Sequence, residues 1–292
     1  MTVLENEQLR IVISPLGGTL QSVRGRQTGI EYLWQGDEKY WKGQAPNLFP
    51  LIGRLFEKRY TLHGRSYDMT IHGFASTSEM EVEQETADSC VFLLRDSEAT
   101  RAVYPYAFEY RIRYVLNSCR LLISYEVTNL SEETMHFGVG GHPGINVPLE
   151  PGLQFEDYDL TFCDAAEPNL ISFSSDTVLV DGIRTPFPLK DSVTLPLRHD
   201  LFDRDAIVLA DAARGVTLSS PRGQHGVRVT WPQMPYIGFW HMPRTDAPYV
   251  CIEPWSMLPG RDGVIEDLET MPDMTALEPG RTYVNTWAVE VW

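Results

Sequence analysis

Apolar and polar residues alternate with a period of two along much of this chain. Leu9, Ile11 and Ile13 are interleaved with Arg10, Val12 and Ser14, and Glu79-Met80-Glu81-Val82-Glu83 repeats the pattern. The longest run is Phe108-Glu109-Tyr110-Arg111-Ile112-Arg113-Tyr114-Val115-Leu116, joined to a second run over 121–127 by Asn117-Ser118-Cys119-Arg120, a natural hairpin connection. Tyr60 and Leu62 stand across His63-Gly64-Arg65 from Tyr67 and Met69, which predicts another hairpin. Residues 283–291 alternate in the same way. A period of two sends successive side chains to opposite faces of a strand, so each run predicts a strand with one buried face. A 3.6-residue period survives over no window longer than about 12 residues. The 20 prolines and 22 glycines interrupt the chain every few residues, as many short strands and turns require. The prediction is an all-β fold, a large antiparallel β-sandwich with few short helices, built as one domain over residues 1–292. Such a sandwich places its site on a concave sheet face or on the loops around it.

Charge and cysteine content narrow the function. With 24 Lys+Arg against 40 Asp+Glu, the net charge of −16 argues against nucleic-acid binding and against a polybasic membrane-surface protein. The uncharged stretches around 137–149 and 229–243 contain Gly or Pro and are too short to span a bilayer. Met1-Thr2-Val3-Leu4-Glu5-Asn6-Glu7 has no basic region followed by an apolar one, so no signal peptide is expected and the reading is a cytoplasmic protein. Cys90, Cys119, Cys163 and Cys251 are far apart, form no Cys-x-x-Cys pair, and are expected to be reduced, buried thiols. No metal site is expected, since no two histidines stand at ligand spacing on one element.

Three segments look unlike ordinary strand or turn. In Asn47-Leu48-Phe49-Pro50-Leu51-Ile52-Gly53-Arg54-Leu55, Arg54 follows a glycine inside an apolar run. It is either a snorkelling, surface-paired arginine or a planar fork of donors for ligand hydroxyls. Downstream, His72 lies in Ile71-His72-Gly73-Phe74-Ala75, as a satisfied loop histidine or a site residue. In the second segment, Phe137-Gly138-Val139-Gly140-Gly141-His142-Pro143-Gly144-Ile145-Asn146-Val147-Pro148, one imidazole sits among glycines and prolines with no charge near in sequence. Glycines allow close backbone approach and Pro143 biases His142 to an extended conformation, so His142 is either presented into a cavity or incidental to a tight crossover. In the third segment, Tyr249-Val250-Cys251-Ile252-Glu253-Pro254-Trp255, Glu253 ends a hydrophobic strand and is held extended by Pro254. A carboxylate there needs a partner, whether in a structural ion pair or as a general base, and Trp255 is a platform on which a sugar could stack. The aromatic run 229–240 reads mostly as core.

Taken in order, these segments resemble the aldose 1-epimerase (galactose mutarotase-like) family, in particular its LacX-type bacterial branch. The resemblance covers essentially the whole chain. Trp34 and Trp41 precede Asn47-Leu48-Phe49-Pro50 and Gly53-Arg54; then come His72-Gly73-Phe74-Ala75, Gly141-His142-Pro143, Pro235-Tyr236-Ile237-Gly238-Phe239-Trp240 and Ile252-Glu253-Pro254-Trp255. The resemblance implies the galactose mutarotase-like supersandwich, no cofactor, and interconversion of the α and β anomers of a free aldose. By position it implies Glu253 as the catalytic carboxylate, His142 as the catalytic histidine, His72 as the second active-site histidine and Arg54 as the sugar-binding arginine. The acidic residue that grips a sugar hydroxyl maps to Asp205, within Leu201-Phe202-Asp203-Arg204-Asp205-Ala206-Ile207. The local sequence there departs from the galactose enzymes, so the resemblance does not fix which hexose is used.

The residue types suit this chemistry. Anomer exchange deprotonates the anomeric hydroxyl while the ring oxygen is protonated, so it asks for one base and one acid on opposite sides of one acetal carbon. A glutamate of ordinary pKa, about 4.3, is ionised at neutral pH and serves as base; a histidine, about 6.5, carries the proton. Three other readings compete. A glycoside hydrolase needs two carboxylates across one bond, and Asp262 reads as a turn residue rather than a partner for Glu253. A non-catalytic carbohydrate-binding protein would not need both His142 and Glu253. A sugar-phosphate mutarotase would want several cations, for which Arg54, Lys58 and Arg59 are the nearest group, against a net charge of −16. The expected partner is a small-molecule sugar, with no nucleic acid and no membrane; the sequence does not set the oligomeric state.

Overall fold

A computed structural model describes all residues, 1–292. The chain is almost entirely strand, and its one α-helix is Glu98–Val103. No helix is long and apolar enough to cross a membrane. The larger sheet has nine antiparallel strands in the order Thr194–Pro196, Asp159–Phe162, Gly215–Ser219, Gly226–Thr230, Thr282–Val291, Arg120–Asn129, Phe108–Asn117, Ser89–Arg95, Glu81–Glu85. Its centre is the two predicted long strands, paired Tyr114 to Ile123 and Ile112 to Tyr125 through the 117–120 connection. Their inner residues are buried at every second position. The outer face carries ion pairs, Arg111–Glu83 at 2.8 Å and Arg113–Glu126 at 2.9 Å. The 59–68 hairpin also forms as predicted, with His63 and Gly64 at φ 50° and 72°, the paired positive values of a tight two-residue turn.

A second sheet runs Val180–Pro186, Asn169–Phe173, Ile207–Ala210, Tyr236–Trp240, Tyr249–Trp255, Gly140–Gly141, Asn47–Leu48, with Gly144–Asn146 also on Tyr249–Trp255. The inner faces of the two sheets interlock: Phe162 meets Phe239 at 6.0 Å and Phe49 stacks on Tyr110 at 4.4 Å. Buried Asn47 ties them together, donating to Gly17 O, Gly18 O and the Tyr114 hydroxyl and accepting from the Tyr125 hydroxyl. The core is a contiguous cluster of 74 buried residues drawn from both sheets.

Three expectations are corrected. Glu81–Glu85 does not bury one face: Val82 is exposed, because this is an edge strand with a bulge between Val82 and Gln84. Tyr249–Trp255 continues through Pro254, so Glu253 sits inside the strand and not at its end. Only Cys90 and Cys251 are buried; Cys119 is half-buried and Cys163 exposed.

Candidate active site

The strand Tyr249–Trp255 is buried along its whole length, and alternate residues Cys251, Glu253 and Trp255 project from one face. Two short strands share its far edge. Gly140 pairs with Trp255 and Gly144 with Cys251, so His142, midway between, falls opposite Glu253. The chain leaves the ladder over this interval, which is why Pro254, lacking an N–H, is tolerated there. A Cβ on Gly141 would lie 2.4 Å from the Trp287 ring, so only glycine lets the crossover pass that close. The result is His142 Nε2 at 3.2 Å from Glu253 Oε2, with side chains 11% and 2% exposed. The two atoms are at ion-pair distance, yet Oε2 lacks a well-aligned hydrogen bond and His142 Nδ1 has no partner.

His72 approaches from another loop. It sits at φ 63°, and its ring faces that of His142 edge-on at 5.5 Å. The Gly53 N–H donates to His72 Nδ1 (3.1 Å), while the His72 N–H donates to Gly53 O (2.9 Å). Because Nδ1 accepts, the neutral ring carries its proton on Nε2, where it can donate to a ligand. The same exchange fixes the residue before Arg54. Asp205 ends the turn after His199–Phe202 at φ 88°, a strained value for a residue with a Cβ, and its Oδ1 accepts from Ala206 N at 2.9 Å.

Arg54, His72, His142, Asp205, Glu253 and Trp255 all line one cavity of about 490 Å³. That is the size of a small-ligand site. Trp255 is only 4% exposed, which leaves little face for stacking. The more open aromatic walls are Trp41, 4.9 Å from the His142 ring, and Trp240, edge-on to both. Phe173 and Val178 on the 169–186 hairpin, with Met242 and Pro259, also line it. Trp41 and Trp240 were legible as motif aromatics without a stated role, whereas nothing in the sequence around Phe173 or Val178 distinguishes them from ordinary strand residues. Lys58 and Arg59 do not line the cavity; Arg59 pairs with Glu57 instead.

Burial changes the expected protonation. It pushes the Glu253 carboxyl well above the usual range, with the nearby Asp205 charge adding to the effect and the Trp255 indole opposing it. His142 is pushed well below 6.5 by burial and then by His72. Burial lowers His72 to about 4, helped by Arg54. An ordinary ionised glutamate beside an independently protonated histidine is therefore not the resting state. A doubly protonated pair or a bare carboxylate is disfavoured in this setting, so Glu253 and His142 hold one proton between them.

The aldose 1-epimerase family profile matches residues 1–284. The chain is 34% identical over 303 residues to the chromosomal protein LacX of Lactococcus lactis subsp. lactis, covering 100% of this chain and 99% of that protein. Among solved structures it is similar to a galactose mutarotase related enzyme from Lactobacillus acidophilus (35% identity, TM-score 0.94, 99% of this chain and 96% of that one). It is equally similar in fold to a galactose mutarotase-like protein from Lactobacillus casei ATCC 334 (30% identity, TM-score 0.94, all of both chains). The chain belongs to the aldose 1-epimerase family.

Proposed function

We propose that the protein is a mutarotase that interconverts the α and β anomers of a free aldose, with Glu253 as base and His142 as acid. The carrying observation is the buried contact between these two side chains, 3.2 Å apart on the wall of a sugar-sized cavity. The anomeric hydroxyl and the ring oxygen share one carbon, so a sugar seated with C1 over this contact has the base on one side of that carbon and the acid on the other. The proton that the pair carries first passes from Glu253 to His142 across their 3.2 Å contact; Glu253 then takes the proton of the anomeric hydroxyl, His142 delivers its own to the ring oxygen, and the C1–O5 bond opens. Rotation about C1–C2 presents the other face of the aldehyde, and the transfers reverse. A carboxylate with a raised pKa is a stronger base and an imidazolium with a lowered one is a stronger acid, so burial sharpens both groups. His72 Nε2–H donates near C1 or the ring oxygen, Arg54 and Asp205 hold hydroxyls, and Trp41 and Trp240 wall the apolar face of the sugar.

The substrate in this reading carries no phosphate. Arg54 is the one cationic side chain on the cavity wall besides the histidines, and it is balanced by Asp205. A phosphate dianion would find no uncompensated positive charge there. A non-catalytic binding role leaves the cost of burying Glu253 beside His142 without a purpose.

The test is polarimetry on freshly dissolved α-D-glucose and α-D-galactose. Catalysed approach to the anomeric equilibrium, lost in Glu253→Gln and His142→Asn, is expected. Uncatalysed rates with both sugars and with pentoses, from folded protein, would refute a free-aldose mutarotase, and exchange confined to sugar 6-phosphates would replace it with the phosphorylated class.

A further inference from the structure

Cys251 stands two residues before Glu253, so its thiol projects from the same face of the strand. One donor atom from each of His142, Cys251 and Glu253 lies within 4.8 Å of the other two, and all three residues are buried. Anomer exchange employs two of these groups and gives the thiol no task. Thiolate, imidazole and carboxylate are the donor types of protein zinc sites. With bonds of about 2.0–2.3 Å, a tetrahedral zinc holds its donors roughly 3.3–3.6 Å apart. The 3.2 Å between His142 and Glu253 already matches one edge of that tetrahedron, and the thiol, within 4.8 Å of both, has at most about 1.5 Å to close. Glu253 and His142 line the cavity and Cys251 does not, so a cation on the three would be reached through the cavity past the first two. An independent sign of unmet demand is Glu253 Oε2, which is buried without a well-aligned hydrogen bond, a costly state that a cation would relieve.

We propose that His142, Cys251 and Glu253 form a site for a soft divalent cation of the zinc type, and that cation and sugar exclude one another. The inference rests on the reading of the cavity as a sugar site. The entering cation takes Glu253 and His142 away from the sugar, and Cys251 gives up its proton to solvent on becoming the third ligand. His142 Nδ1 has no carboxylate behind it and makes no well-aligned hydrogen bond. Histidine ligands without such support hold metal about 10–100-fold more weakly, so the cation is an exchangeable inhibitor and not a resident cofactor.

Cadmium is the probe, because a cadmium–thiolate bond gives a charge-transfer band in the ultraviolet. The titration is made in a Cys119→Ser/Cys163→Ser background, which removes the two thiols that reach solvent. The band should appear, vanish in Cys251→Ala, and recede as sugar is added. In parallel, zinc should slow anomer exchange, and Cys251→Ala should weaken that inhibition about tenfold or more while leaving the metal-free rate within about twofold. Cys251→Ser, with a melting curve for each variant, separates loss of the ligand from loss of the fold. Absence of the band, its survival in Cys251→Ala, no response to sugar, or equal inhibition in both proteins overturns the proposal. A sugar-sensitive, Cys251-dependent band in a protein that exchanges no anomers would support the site while refuting the mutarotase reading.

Discussion

Glu253 is held in a place that suits proton transfer and penalises the folded state. Removing its charge while keeping its shape separates the two effects. Glu253→Gln is expected to lower the anomer-exchange rate by about 10²–10⁴-fold, the usual worth of a positioned base, with thermal stability unchanged or raised, as polarimetry and a melting curve would show. Two histidines make an opposite demand on the fold. Burial lowers both His72 and His241 to about 4, and His241 is fully enclosed, taking a 3.1 Å contact from His199. Each binds its proton more readily unfolded than folded, so the stability it contributes is complete above pH 6.5 and is lost as pH falls toward 4. The expected slope is up to about 1.4 kcal/mol per pH unit for each ring within that window. Urea unfolding of His72→Gln/His241→Gln against pH should show a shallower fall than the parent, and parallel curves would refute the assignment. At this scale the sequence disclosed which residues gather: unusual neighbours such as the glycines around His142 marked most of them, and the family resemblance alone supplied Asp205. It did not disclose their protonation, which depends on enclosure by side chains such as Trp41 and Trp240 from remote segments.

The decisive element is the glycine-rich crossover that brings His142 level with Glu253. Trp287, 2% exposed, has nowhere to retreat from a methyl group at position 141. Gly141→Ala should therefore cost about 1–3 kcal/mol in urea unfolding and should also slow exchange, since displacing the crossover moves His142 off Glu253. The rim hairpin is a second adjustable element: Thr177 Oγ1 donates to Asp262 Oδ1 at 2.8 Å, clasping the tip that presents Phe173 and Val178 to the cavity. Thr177→Val should raise KM for sugar with little change in kcat or melting temperature, because the contact is exposed. The alternating strands were legible in advance because one of their faces meets the core and the other is part-solvated. Strands such as Ile207–Ala210, buried on both faces, show no alternation and were not singled out. Pro254 misled as a strand terminator, since its missing N–H falls at a gap in the ladder made by a segment more than a hundred residues away.

Over the whole molecule, a charge of −16 surrounds a cavity with a single arginine on its wall. Neutral sugars do not feel this field and phosphorylated ones do. Raising NaCl from about 0.05 to 0.5 M should leave kcat/KM for a free hexose nearly unchanged, and should raise any residual rate on a hexose 6-phosphate by screening. A rate on sugar phosphate that falls with salt would point to attraction and count against the neutral-substrate reading. The all-β class was legible at this scale from strand periodicity alone. The sheet order was not, because it depends on pairings between strands distant in sequence.

One such pairing has a consequence in time. Thr282–Val291 lies in the middle of the nine-stranded sheet, between Gly226–Thr230 and Arg120–Asn129. During synthesis the two halves of that sheet therefore emerge with their facing edges bare until this segment, the last of the nine strands in chain order, joins them. Unpaired edges of this kind invite association between chains. The same segment carries Trp287, on which the His142 crossover rests. The seam of the sheet and the support beneath the His142 crossover thus form together, when this one strand is inserted.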